Sequence, residues 1–92
     1  MNQAEATALV NNLFESLGPL MMRLAFRATK STETAEDLIQ EVFLALYRDL
    51  RNHKQIENPR AWVLGALRNQ IRKLALLGSI LRTLLPRKNL IQ

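Results

Sequence analysis

Arg68, Asn69, Arg72 and Lys73 fall within one short stretch of the chain, a few residues after Arg60 and the only tryptophan, Trp62. Cations and an amide at such spacing can hold successive phosphates, and an indole beside them can stack on an unpaired base. A second set of polar residues stands upstream: Asp37, Gln40 and Glu41, followed by Leu44 and Tyr47. Carboxylates interleaved with apolar side chains are the makings of a contact with another protein. Neither set has the residues of a catalytic centre. The chain contains no cysteine, which excludes a disulfide framework and a thiolate zinc site, and its single histidine, His53, cannot form a metal cluster alone. The expectation is a binding protein, not an enzyme, working without metal, cofactor or small-molecule substrate.

Charge separates the two sets. Residues 1–50 hold four basic and seven acidic side chains, whereas residues 51–92 hold nine basic and one acidic, within a net charge of +5. Such a division is consistent with one surface for polyanions and another for a different partner, although a solvated charged surface gives the same totals. Ninety-two residues, 48% of them hydrophobic, suffice for one core and not for two. The first residues, MNQAEATALVNNLF, have neither the basic start nor the apolar run of a secretory signal, and no stretch is long and apolar enough to span a bilayer. A cytoplasmic protein is expected.

The elements that must position these residues are helices. Leu9, Val10, Leu13, Phe14 and Leu17 recur at helical spacing, and the period resumes after Gly18-Pro19 with Leu20, Met21, Leu24, Ala25 and Ala28. This predicts helices near 3–17 and 19–29, or one helix kinked at Pro19. Ser31 to Thr34 starts a second helix, with Glu33, Glu36 and Asp37 favouring the positive end of its dipole, and it should run to about Leu50. Arg51 to Asn58 reads as a loop. Asn58-Pro59 then supplies a cap and a first-turn proline for a third helix, expected to run to about Leu77. Gly78-Ser79 weakens it, Ile80 to Leu85 forms a short apolar helix, and Pro86 ends that. Without strand alternation or repeats, the fold class is all-α, a compact bundle of three main helices plus the short C-terminal one. The domain division is 1–77 for the bundle and 78–92 for an apolar and basic tail packed on it.

On the second helix, Ala35, Leu38, Ile39, Val42, Phe43, Ala45, Leu46 and Leu50 share one arc of about 160°, interrupted only by Asp49. The opposite arc carries Glu36, Asp37, Gln40, Glu41 and Arg48, with Leu44 and Tyr47 in their midst. Leu44 and Tyr47 could be an interface, or a scattered surface leucine and a tyrosine lying over a loop; the pattern leaves both open. On the third helix, Val63, Leu64, Leu67, Ile71, Leu74 and Ala75 form the inward stripe, with Arg60 near the helix start, where it can reach solvent. Ala61, Gly65, Arg68, Asn69 and Arg72 occupy a separate flank, whose small residues let a phosphate or base approach closely. Trp62 lies outside the stripe, near Asn69 and Lys73, and is either buried against a second helix or exposed as a stacking platform.

The stretch STETAEDLIQEVFLALYRDL, followed by a short loop and NPRAWVLGALRNQIRK, resembles region 2 of the bacterial extracytoplasmic-function sigma factors. The resemblance covers roughly residues 10–73. Its specificity comes from the combination of an acidic-Leu-x-Gln-Glu core on one helix with a Pro-Arg-Ala-Trp start and an Arg-Asn pair on the next. It implies a helical domain that docks on the clamp helices of the large subunit of core RNA polymerase and reads the melted minus-ten element of promoter DNA. On that resemblance Asp37, Gln40, Glu41, Leu44 and Tyr47 contact polymerase. The loop from Asn52 to Asn58, with His53 and Lys54, and the adjoining helix hold a flipped base; Asn69 matches a pocket position, and Arg60, Arg68, Arg72 and Lys73 bind phosphates. An anti-sigma factor is a further partner that the resemblance admits.

The chain departs from the pattern at Leu64 and Gly65, where relatives often carry an aromatic and a basic residue, and in its tail, LALLGSILRTLLPRKNLIQ, which is more apolar than the usual basic linker. No second, helix-turn-helix domain follows within the 92 residues. The tail can pack on the bundle or form an amphipathic docking segment, with Arg82, Arg87 and Lys88 suited to an anionic surface. An alternative function follows from these departures: a module of the same fold that binds polymerase or an anti-sigma partner without reading a promoter.

Overall fold

A computed structural model of the protein describes residues 1–85. Residues 86–92 of the expected tail, Pro86, Arg87 and Lys88 among them, lie outside the described residues. Among the described residues there are three helices: α1, Gln3–Thr29; α2, Thr32–Arg51; and α3, Pro59–Leu84. The expected all-α three-helix bundle is what forms.

Each helix begins where its side chains can satisfy the free N–H groups of the first turn. Asn2 caps α1 through a capping box, accepting from the Glu5 N–H at 2.8 Å while the Glu5 carboxylate accepts from the Asn2 N–H at 3.1 Å. Ser31 accepts from the Thr34 N–H at 3.2 Å, and Asn58 from the Ala61 N–H at 3.1 Å, with Pro59 in the first turn of α3. Lys30 turns the chain between α1 and α2 in the left-handed region, at φ 59°, and donates its N–H to the Phe26 carbonyl. So short a connection folds α1 and α2 into an antiparallel hairpin.

α1 continues through Gly18-Pro19 as one element of 27 residues, the single-helix form of the expected pair. Its inner face, Leu13, Leu17, Met21 and Ala25, meets Leu38, Ile39, Val42, Phe43, Leu46 and Leu50 of α2. The inward arc read from the sequence of α2 is buried throughout except at half-buried Ala45. No polar side chain is buried among the described residues, so the core rests on apolar burial alone.

α3 differs from expectation in two ways. It passes Gly78-Ser79 without a break, so the apolar piece after Gly78 forms the last turns of α3 instead of a separate helix. One glycine costs a helix only about 1 kcal/mol, and the leucines around it are strong helix formers. The inward stripe is also shorter than its periodicity: Val63 and Leu67 are buried, Leu64 and Ile71 half-buried, and Leu74 and Ala75 exposed. From Ile71 onward α3 runs beside Ala28, Thr29 and Thr34 at the α1–α2 turn, but an open cleft lies between them. The face is correctly oriented and has too little hairpin to cover it. Beyond it, Leu76, Leu77, Ile80, Leu81, Leu84 and Leu85 are all exposed.

Candidate nucleic-acid and partner interfaces

The acidic flank of α2 follows from its buried one. Once Leu38, Ile39, Val42 and Leu46 are turned into the core, helical geometry turns Asp37, Gln40, Glu41 and Leu44 outward, and all four are exposed. Leu44 is 55% exposed in the midst of charged neighbours. Tyr47 is half-buried and packed against the core, so it frames this surface from the inner edge. Among the described residues the one ion pair is Lys54 with Asp49, at 3.5 Å, so the carboxylates of Asp37 and Glu41 are left available to an external partner.

The basic row lies on α3. Arg68, Asn69, Arg72 and Lys73 are exposed, on the side that Val63 and Leu67 leave free by turning inward. Arg60 is exposed too, but it does not join them: its Nη1 lies 3.5 Å from the Ser16 hydroxyl, toward α1. Gly65, on the flank of the row, has open space around it, with no atom within 4 Å of where a Cβ would stand.

The loop after α2 is drawn back over the helix end. His53 adopts φ 60°, its N–H donates to the Leu50 carbonyl at 3.2 Å, and the Lys54 N–H donates to the Asp49 carbonyl at 3.0 Å. The chain then passes over the start of α3 and encloses a shallow hollow. Trp62 forms one wall, Ile56, Glu57 and Asn58 another, and Asp49 with its partner Lys54 stands at the rim. Trp62 thus takes parts of both alternatives, half-buried and packed against the core along one side while lining the hollow with another. His53 lies outside this hollow; it lines a neighbouring recess with Leu9, Leu50 and Pro59, and its Nδ1 is 3.1 Å from the Met1 amino nitrogen. Sequence periodicity could not place Ile56 and Glu57, because a loop has no period; the Asn58 cap, which fixes the loop's return, was the available signal.

Of the expected set, the structure therefore gathers Arg68, Asn69, Arg72 and Lys73 in one row, and puts Lys54 at a hollow lined by Trp62. It turns Arg60 toward α1 and His53 toward the amino terminus. No group of acidic or histidine side chains that could hold a metal ion occurs among the described residues, and no helix among them is long and apolar enough to cross a membrane.

The described residues thus form a helical hairpin with an exposed acidic face, followed by a helix with an exposed basic row and a hollow at its start. Residues 13–86 match the Sigma-70 region 2 family, and the chain belongs to that family. Membership carries a sigma-factor role in binding core RNA polymerase and melting promoter DNA, a role that is in general non-enzymatic. Comparisons with curated proteins and with solved structures give no match.

Proposed function

We propose that the chain acts as a region 2 module of the extracytoplasmic-function kind, docking on the clamp helices of core RNA polymerase through Asp37, Gln40, Glu41 and Leu44, with Tyr47 supporting that face. The melted minus-ten strand then runs along α3. Arg68, Arg72 and Lys73 hold its phosphates, one unstacked base enters the hollow beside Trp62 and Lys54, and Asn69 meets the strand further along α3. A base in a duplex hides its edges in the stack, so only an extruded base can be read in such a hollow. No bond is made or broken by the protein. It favours the open promoter because the hollow and the cationic row bind single strands better than duplex, and differential binding shifts the equilibrium. Residues 1–77 carry this activity in the proposal, and an anti-sigma factor would compete for the α2 face.

The observation that carries this reading is the hollow itself, walled by an accessible indole and placed at the start of the helix that bears the cationic row. The test has two arms. Core polymerase capture should be lost with Asp37→Arg combined with Gln40→Ala and kept with Arg68→Ala, whereas binding to single-stranded minus-ten oligonucleotides should show the reverse. Unchanged capture by the α2 variant would remove the docking assignment.

A second reading is favoured by Gly65, which leaves open surface where relatives often carry a basic residue. In it the module binds polymerase or an anti-sigma partner and does not read DNA. Retained polymerase capture with no oligonucleotide binding would select it.

A further inference from the structure

Asp49 is the one charged residue that interrupts the inward arc of α2, and neither the core nor the proposed docking face uses it. It stands in the last turn of α2, where the helix dipole disfavours a carboxylate. Its backbone and its side chain are both tied to Lys54. The Lys54 N–H donates to the Asp49 carbonyl at 3.0 Å across the turn made by His53 at φ 60°, and Lys54 Nζ lies 3.5 Å from Asp49 Oδ1. These two links hold the ammonium beside the carboxylate before any ligand arrives, which lowers the ordering cost of binding one.

The pair lines the hollow that Trp62 walls. Asp49 is half-buried and Lys54 exposed, so the carboxylate is partly shielded from water while the ammonium can turn toward a guest. An ammonium only donates and a carboxylate only accepts. Read from Lys54 across Asp49, the pair therefore presents a donor, an acceptor and a second acceptor: Nζ, Oδ1 and Oδ2. Elsewhere in the lining, the Asn58 side-chain carbonyl is committed to the Ala61 N–H at 3.1 Å, and Glu57 adds a second carboxylate. Two carboxylates to one ammonium leave the hollow favouring a guest edge rich in donors.

We propose that the Asp49–Lys54 pair makes the hollow selective for guanine, which rests on the reading above in which an unstacked base of the single strand enters it. An extruded base is read on its Watson–Crick edge. Guanine presents there an acceptor and two adjacent donors: O6 accepts from Lys54 Nζ, N1–H donates to Asp49 Oδ1, and the N2 amino group donates to Oδ2. One carboxylate then receives two parallel N–H bonds, the geometry that gives such contacts both strength and specificity. The other bases each meet a clash. Thymine runs acceptor, donor, acceptor, so one of its carbonyls faces a carboxylate oxygen. Adenine and cytosine both carry a ring-nitrogen lone pair at the centre of the edge, which meets Oδ1 in either orientation. Asp49 is thereby a specificity-determining residue, distinct from the cations that hold the phosphates.

Trp62 is the only tryptophan, so quenching of intrinsic fluorescence reports entry of a base into the hollow. The full chain is titrated with short oligothymidylates that carry dG, dA, dC or inosine at one central position, and anisotropy of the labelled strand is read alongside. The dG strand should bind about tenfold more tightly than the dA, dC and all-thymidine strands. Inosine, which lacks the N2 amino group, should bind about fivefold more weakly than dG, and 7-deazaguanine, unaltered on its Watson–Crick edge, should match it. Asp49→Asn should shrink the preference for dG to within about twofold. Equal affinity for all the strands, with Trp62 still quenched, would overturn the guanine assignment and leave base entry standing. Inosine binding as tightly as dG would also overturn it, as would a dG preference that survives Asp49→Asn in a variant with the native far-ultraviolet circular dichroism spectrum. The base analogues leave the protein unaltered, so they decide the matter whether or not that variant folds. Strand binding with no change at Trp62, or no strand binding at all, would remove base entry itself and the guanine assignment with it.

Discussion

Gly65 stands one turn before Arg68 and Asn69, and a methyl group added to it would meet no atom within 4 Å. Glycine in mid-helix gives up more backbone freedom on folding than alanine does, so Gly65→Ala should stabilise the chain by about 0.5–1 kcal/mol. Urea titration would show this as a raised midpoint at unchanged slope, and a lowered midpoint would mean that α3 packs closer there than the structure has it. Gly65→Arg should carry the same backbone gain and add a cation to the row, tightening binding to single-stranded oligonucleotides; no change in affinity would place the DNA path away from this flank. At this scale the sequence was legible where local chemistry decides the outcome. Ser31 and Asn58 are caps because a short polar side chain before a helix has little else to satisfy. Trp62 was not legible, because its half-burial depends on where a loop without periodicity returns. Arg60, which the resemblance groups with Arg68, Arg72 and Lys73 as a phosphate contact, lies apart from them, with its Nη1 3.5 Å from the Ser16 hydroxyl of α1.

The three helices are not held equally. α1 and α2 bury extended faces against each other, whereas α3 contributes only Val63 and Leu67 to the fully buried core, with Trp62, Leu64, Ala66 and Ile71 partly covered. Leu67→Ala should therefore cost about 2–4 kcal/mol, and the loss should fall on one element. Amide hydrogen exchange should show α3 opening well before the α1–α2 hairpin, while Leu46→Ala should open all three together. Equal loss of protection across the molecule in Leu67→Ala would show that α3 does not open separately. Helical period identified which side of α3 faces inward, and it did so correctly as far as Leu67. It could not show where the facing hairpin stops, so Leu74 and Ala75 were assigned to a core that does not reach them. The continuity through Gly78 was missed for a related reason: a weak helix former was given the weight of a stop, although neither proline nor a left-handed turn accompanies it.

Across the described residues, basic side chains are shared equally between the α1–α2 hairpin and α3, whereas the acidic ones lie on the hairpin and none on α3, so only α3 presents positive charge without carboxylates beside it. That division was visible in the sequence; what the fold adds is which charges share a surface. Arg68, Arg72 and Lys73 share one, and Arg60 does not. Binding of a single strand through three cations should lose affinity with salt at a logarithmic slope of about −2, since each neutralised phosphate of a single strand contributes about −0.7. Arg72→Ala should flatten the slope by about 0.7 and weaken all sequences alike, whereas Arg60→Ala should leave the slope where it was. Asn69→Ala, which removes no charge, should keep the slope and reduce discrimination among bases. Fluorescence anisotropy across a salt series, with minus-ten and scrambled oligonucleotides, separates these outcomes. A slope that changes with Arg60 and not with Arg72 would move the nucleic-acid path from the outer row of α3 to the seam between α3 and α1.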